Sequence, residues 1–447
     1  NCKKLNRLFT IKKSTLIFFL IIIPIFVDQI NGYFVNELGI TFPLSHVIKS
    51  VYLIGFLALI INDCLIYSRV LFLLSYMFIL IVPLLTVNFT AGPIYSDMLV
   101  DLAFYAKLLM LPIVYFGSTI ILKKREDTDL LSSNLIVCLF MILSGAIFAS
   151  LFGFGRSNYG ISSDGITYGF RGYFIAGNEI SALYILLYSL FLFYGYYVQK
   201  SFVLLLFIYV LGGATAILMV TKTVLIGYVL ISVMIPILLT FYYRGNWVIH
   251  PSKYMKKLYL MVGLLIFLSS TLGSIFFWDR IVANIDRMAH NLAKAENVLS
   301  FILSGRDARF GPVLELYYYR YDFLKLLFGT GWNHFQYINQ NDGTALTAEM
   351  DLIDLLLSHG ILGVMFIYSF WVYLLSKLTR LLYLRRSVFS VPLFAATALL
   401  FTNSFFSGHI LYSAMLTFYL GFFIAVLSTN VKYNSAKVFC SQCVQEN

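Results

Sequence analysis

Long apolar runs broken by short polar stretches dominate the chain. After a basic start (Lys3, Lys4, Arg7, Lys12, Lys13), the first run extends from about Ser14 to Asn31. Others follow at about 42–62, 70–91, 98–122, 130–152, 179–198, 202–221, 223–243, 257–277, 350–375, 388–404 and 410–428. Each approaches the roughly 20 residues that a helix needs to cross the hydrocarbon core, and only helices or closed barrels satisfy the backbone there. The runs are too long and too uniform for barrel strands. The pattern predicts an all-α polytopic membrane protein with about twelve transmembrane helices. The first run has the charged and apolar regions of a signal peptide, but no A-x-A-like site follows, so it reads as an uncleaved first span.

The breaks between runs carry an orientation. Lys123, Lys124 and Arg125 fall in one break, Arg244, Lys253, Lys256 and Lys257 in another, Lys377, Arg380, Arg385 and Arg386 in a third, and Lys432 and Lys437 after the last run. Alternation puts all of them on the side of the N-terminus. Basic residues collect in cytoplasmic loops, so both termini are expected inside. Two outer segments are long: 153–178 and 278–348. The second is the large loop between helices 9 and 10, and has room for a small helical subdomain. Its stretch from Arg309 to Phe328 mixes aromatic and charged residues, as an interfacial helix does. The glycines of FGTGW at Phe328–Trp332 predict a tight turn after it.

Composition agrees with the pattern. Of 447 residues, 60% are hydrophobic and only 12% charged. A soluble domain runs at about half apolar and a quarter charged, so a water-soluble enzyme and a disordered chain are both excluded. The net charge of +11 comes from 32 Lys+Arg against 21 Asp+Glu, and the topology accounts for it without nucleic acid as a partner. Five cysteines, with none in the expected outer loops, do not form a disulfide framework. Cys440 and Cys443 make a lone CxxC, a weak signal for metal or redox use.

Candidate chemistry concentrates at the expected outer face. Arg171 lies in GFRGYFIAGNE, flanked by Gly169 and Gly172, with Asn178 as a helix-cap candidate for the next span. Arg306 lies in SGRDARFGP with Arg309 three residues on. Guanidinium groups grip phosphate oxygens bidentately. The plainer alternatives are pairing with loop carboxylates or snorkelling to headgroups. Lys222, in TKT, is held at the apex between two runs, where membrane lipids or a function can claim it. Lys49 and Lys107 fall inside spans, where an ion pair between spans is the bland reading. In TAEMDLIDLLLSHG, Glu349, Asp351 and Asp354 enter a span together. Acids in a first helical turn complement the dipole, while a carboxylate at the water–lipid boundary can accept a proton from a sugar hydroxyl. If one helix carries all three, Glu349 stands nearly opposite Asp351, and partial burial is expected to raise its pKa. His359 and His409 also read as span residues, each more simply packed than catalytic. The sequence has no P-loop, HExxH, zinc-type Cys/His spacing or GxSxG.

The ordered set GFRGYFIAGNE, TKT, SGRDARFGP, FGTGW, AEMDLIDLLLSHGILG and SGH at Ser407–His409 resembles the O-antigen polymerase and O-antigen ligase superfamily, over roughly Gly153 to Leu427. The resemblance implies a type C glycosyltransferase-like membrane fold. It also implies transfer of a glycan from an undecaprenyl-diphosphate donor at the outer face of the bacterial inner membrane, without a cofactor. The acceptor is another lipid-linked repeat unit in a polymerase and lipid A–core in a ligase. A chain-length regulator protein is a candidate partner. Ligases carry His then Asn where the span after the large loop begins, whereas this chain has Glu349-Met350-Asp351, which favours a polymerase. In that frame Arg171, Arg306 and Arg309, with Lys222, hold the donor diphosphate, and Glu349, or Asp351 as second choice, is the base. His409 and His359 are further candidates. A lipid-linked oligosaccharide flippase is the non-enzyme alternative, disfavoured because the candidate residues gather at one face and no internal repeat is visible.

Overall fold

Backbone polar groups in hydrocarbon must be satisfied within their own segment, and the computed structural model answers that requirement with helices throughout. It describes residues 13–40, 43–62, 72–78, 81, 95–122, 125–157, 169–199, 202–244, 322–332, 348–384 and 387–445, with Val282, Leu303, Arg306, Arg309, 311–313, Glu315 and Tyr318. Among these residues the only β-type pairing is an isolated bridge between Ser157 and Phe170. In chain order the helices are α1 Lys13–Glu37, α2 Leu44–Asn62, α3 Tyr95–Ile121, α4 Arg125–Ala149, α5 Gly177–Phe193, α6 Phe202–Met219, α7 Lys222–Arg244, the short α8 Phe323–Phe328, α9 Asp351–Tyr383, α10 Ser390–Ser404 and α11 Ala414–Gln445. Seven described helices are long and apolar enough to cross a membrane, and α10 and the first half of α11 are shorter apolar helices. The chain is an all-α polytopic membrane protein. The expected runs at 70–91 and 257–277, and most of the 278–348 loop, lie largely outside the described residues.

Burial sorts the helices into layers. Every residue of α5 from Ile180 to Phe193 is buried, so this helix is apolar all round and runs through the centre. Around it pack α4, α6, α7, α10 and α11. Its tyrosines satisfy their hydroxyls inside the bundle: Tyr184 donates to Gly212 O at 2.8 Å, and Tyr188 shares a 2.7 Å bond with Ser232. At the periphery α2 keeps Val51, Ile54 and Ile61 exposed, the apolar surface expected against lipid. Lys377 near the far end of α9 donates to the Tyr115 hydroxyl and ties α9 to α3.

Several helix ends meet at one end of the bundle: Glu37 of α1, Leu44 of α2, Gly177 of α5, Met219 and Lys222 across the α6–α7 turn, Asp351 of α9, and the α10–α11 connection. This is the end that the basic-loop pattern assigns to the outside. The FGTGW turn docks here. Gly331 N donates to Ser358 O at 2.8 Å, inside α9. The docking coincides with a break in α9 at Gly360, where φ is 64° and ψ is −174°. That region is open only to glycine, and a Cβ there would come within 2.4 Å of the Leu327 backbone.

Two sequence expectations change. Asn178 does not cap α5: the helix begins at Gly177, with Ala176 as an N-cap that makes no side-chain bond. The span expected from residue 410 begins at Ala414 instead. The intervening backbone leaves the helical path because Asp351 takes up its N–H groups.

Candidate functional site

The site is assembled by the junction leading into α9. Glu349 does not belong to the helix, contrary to the helical-face reading. Met350 is the N-cap with extended backbone, and Glu349 before it has a positive φ of 56°. Only three non-glycine residues among those described have positive φ: Val220, Glu349 and His409. All three lie at this end of the bundle. A side chain in that conformation carries strain, and such strain clusters at functional sites.

Glu349 is gripped from two sides. Arg309 Nη1 lies 2.9 Å from Oε1, and Arg306 Nη2 lies 3.4 Å from Oε2. Leu303, Arg306 and Arg309 each have helical backbone. The pairing with a loop carboxylate that the sequence left open is therefore present. It also reverses the expected titration. Burial pushes the Glu349 carboxyl up, but the hydrogen bond and charge of Arg309, with the charges of Arg306 and His409, outweigh it. The group is held below the ordinary value of 4.5.

Asp351 has a different environment. It is fully buried, and its Oδ1 accepts from His409 N at 2.6 Å, while Oδ2 accepts from Ile410 N at 2.9 Å and Leu411 N at 2.8 Å. Three converging N–H groups make it the anchor of the 405–413 connection. Asp354, also buried, accepts from Ala348 N at 2.9 Å and so holds the residue before Glu349. The SGH glycine allows the connection to come close: a Cβ on Gly408 would lie 2.8 Å from the Glu349 carbonyl. His409 is thus in a connection, not in a span. Burial keeps its imidazole below the usual range, although Glu179 and Glu349 pull the other way. His359 is inside α9, bonded through Nδ1 to Ser358 Oγ at 2.7 Å and stacked on Phe104.

The remaining cations reach the same end by other routes. Phe170 N donates to Leu218 O at 2.8 Å, which docks the Arg171 loop on the α6–α7 turn. Arg171 Nη1 donates to Ile175 O at 2.7 Å, and its Nε is buried without a partner among the described residues. Burial, then the charge of Arg156, lowers its pKa. Lys222 opens α7 one residue after Thr221, whose Oγ1 is 2.9 Å from Ser181 Oγ on α5. Two residues before Ser181 on α5, Glu179 accepts from Ser413 Oγ at 3.3 Å, which ties α5 to the end of the His409 connection. Sequence reasoning missed Glu179 and Ser413 as links. The available signal was a lone carboxylate two residues into an otherwise uncharged run. Lys49 does take the bland role: its Nζ is 2.8 Å from Asp28 on α1. Among the described residues no group of three His, Cys, Asp or Glu side chains is placed to hold a metal ion.

Fold and site together define a multi-pass membrane protein with a charged, strained cluster where one end of its bundle meets a large loop. Residues 278–434, which contain Arg306, Arg309, Glu349, Asp351 and His409, match the family described as O-antigen ligase like membrane protein. The match over this stretch is consistent with the O-antigen ligase/polymerase superfamily and supports a membrane glycan-processing function in O-antigen assembly. No curated protein and no solved structure matches the chain.

Proposed function

We propose that the protein is a polymerase of lipid-linked oligosaccharide repeat units, acting at the outer face of the bacterial inner membrane with both termini in the cytoplasm. The observation that carries the reading is the Arg306–Glu349–Arg309 cluster at a strained junction within the family-matched region. In the cluster the arginines rest on Glu349. A donor diphosphate offers them a stronger, multivalent anion. Once they turn to it, Glu349 loses the charges that hold its pKa down and becomes a better proton acceptor.

The reaction then follows. The acceptor hydroxyl oxygen forms a bond to the donor anomeric carbon as the carbon–oxygen bond to the diphosphate breaks. The electron pair leaves on the polyprenyl diphosphate, whose growing charge Arg306 and Arg309 stabilise, with Arg171 and Lys222 as further contacts. The hydroxyl proton goes to Glu349. Asp351 is assigned a positioning role: both its oxygens are occupied by the backbone N–H groups that set the His409 connection. The Glu349-Met350-Asp351 sequence in place of the ligase His-Asn supports a polymerase over a ligase. Acceptor choice tests this. Purified protein is offered a lipid-linked repeat unit, lipid A–core, or both. Growth on the lipid-linked unit is the expected result, and transfer only onto lipid A–core would make the protein a ligase.

A further inference from the structure

A cavity of about 220 Å³ lies between α1, α2, α3, the Phe174–Ile180 segment and the start of α11. Much of its wall is apolar, including Leu53, Met110 and Ile180, yet Asp28, Lys49, Lys107 and Glu179 also line it. Two of these satisfy each other. The Lys49 ammonium sits on both Asp28 oxygens at 2.8 and 2.9 Å, and the Ser45 hydroxyl adds a further bond to Asp28.

The other two are not matched in this way. Among the described residues Lys107 makes no hydrogen bond and no ion pair, although its charge reaches His46 and His409. Glu179 accepts the one bond from Ser413 and has no cation in contact among the described residues. Lys107 is seven residues into the apolar stretch Val100–Ile121, about 10 Å along the helix at 1.5 Å per residue. An ionised group at such depth is retained for a partner or a function. A ligand that relieves both residues must present an anion to the ammonium and a hydrogen-bond donor to the carboxylate. The apolar remainder of the wall and its depth require that the ligand be lipid-borne.

We infer that this cavity is a subsite for a polyol phosphate carried on a lipid, with Lys107 binding a phosphate oxygen and Glu179 accepting from a hydroxyl of the polyol. The polyol is the sugar of a lipid-linked glycan or the glycerol of a phospholipid such as phosphatidylglycerol. The inference deepens the polymerase reading and rests on it for the first of these sources. In that setting it supplies a second phosphate grip, separate from the two arginines, for a protein that handles two lipid-linked chains.

The test is equilibrium binding of a radiolabelled farnesyl-diphosphate-linked disaccharide to the full chain in phosphatidylcholine nanodiscs. Losing a charge-assisted contact should weaken binding roughly tenfold to a hundredfold in Lys107→Met, while Lys107→Arg retains it. Ala106→Trp leaves both charges in place but fills the cavity, and should weaken binding as much. Wild-type affinity in both Lys107→Met and Ala106→Trp overturns the inference. If Lys107→Met does not fold, Ala106→Trp decides alone. Competition by phosphatidylglycerol assigns the source: displacement of the probe means a site shared with bulk lipid, and no displacement means one reserved for the substrate lipid. Chain growth unaffected by both variants leaves the polymerase reading standing without the subsite. Cavity-dependent binding without any chain growth leaves the subsite standing without the polymerase.

Discussion

Glu349→Gln separates the two jobs given to this side chain, because the same carboxylate rests against the arginines in the free protein and takes the proton in the reaction. The substitution keeps shape and removes charge. In the free protein the loss is small. Glu349 and Arg309 are 38% and 39% exposed, so their pairing is screened and contributes at most about 1 kcal/mol. The melting temperature should hardly move. Removing the competing anion frees Arg306 and Arg309, so donor binding should tighten by up to about 1 kcal/mol, or roughly fivefold. Turnover should fall on the order of a hundredfold or more with the base gone. A lower KM with a collapsed kcat is the expected signature in a steady-state assay with a soluble short-chain donor.

The pH dependence adds a second readout of the same residue. The free-enzyme carboxyl is depressed below 4.5 despite its burial, by the hydrogen bond and charge of Arg309 and the charges of Arg306 and His409. A depressed acid stabilises the fold above its unfolded pKa, and that contribution is lost as pH falls through the lower folded value. The acid limb of kcat/KM, which reports the free enzyme, should therefore fall below pH 4.5. The limb of kcat should lie at higher pH, because bound diphosphate has drawn the arginines away. Unchanged kcat in Glu349→Gln refutes the base assignment and turns attention to His409. A raised KM refutes the competition between Glu349 and the donor.

Three substitutions test the scaffold. Asp351→Asn leaves at least one of the three backbone N–H groups at His409–Leu411 without an acceptor; at about 1–3 kcal/mol for each buried orphan, thermal unfolding in detergent should show a clear loss that Glu349→Gln does not. Gly360→Ala should unfold at lower temperature by at least about 1–3 kcal/mol, since its backbone conformation excludes a Cβ and the Leu327 backbone leaves no room for one. Lys49→Met strands the buried Asp28 carboxylate and should cost about 3–5 kcal/mol, measured by the same unfolding, whereas Lys107→Met strands no described partner and should be far milder.

The bundle was legible because apolar length is a direct physical requirement of the bilayer, and α2 to α7, α9 and α10 fall close to the runs read from the sequence. At residues 410–413 the helix start is set by a contact from elsewhere in the chain. The Asp351 carboxylate reaches some sixty positions along the sequence to hold His409–Leu411, and no local pattern encodes such a bond. The same holds for the site. Arg306, Arg309 and Glu349 could be singled out by residue type and position, but their mutual contact spans 43 positions in the chain. That contact decides the sign of the Glu349 shift, so the expectation from burial alone had the wrong direction. Strain at Glu349 and His409 was equally invisible, since neither residue type announces a positive φ.

Ladder formation from a single synthetic polyprenyl-diphosphate-linked repeat unit, by purified protein in liposomes, tests the central claim most directly. Polymer length and free polyprenyl diphosphate are followed together, with Glu349→Gln as the folded control. The account predicts a ladder, one equivalent of diphosphate released for each new linkage, and neither product from the variant. A folded wild-type protein that releases no diphosphate and builds no chain, or a variant that builds it as fast, would contradict the account.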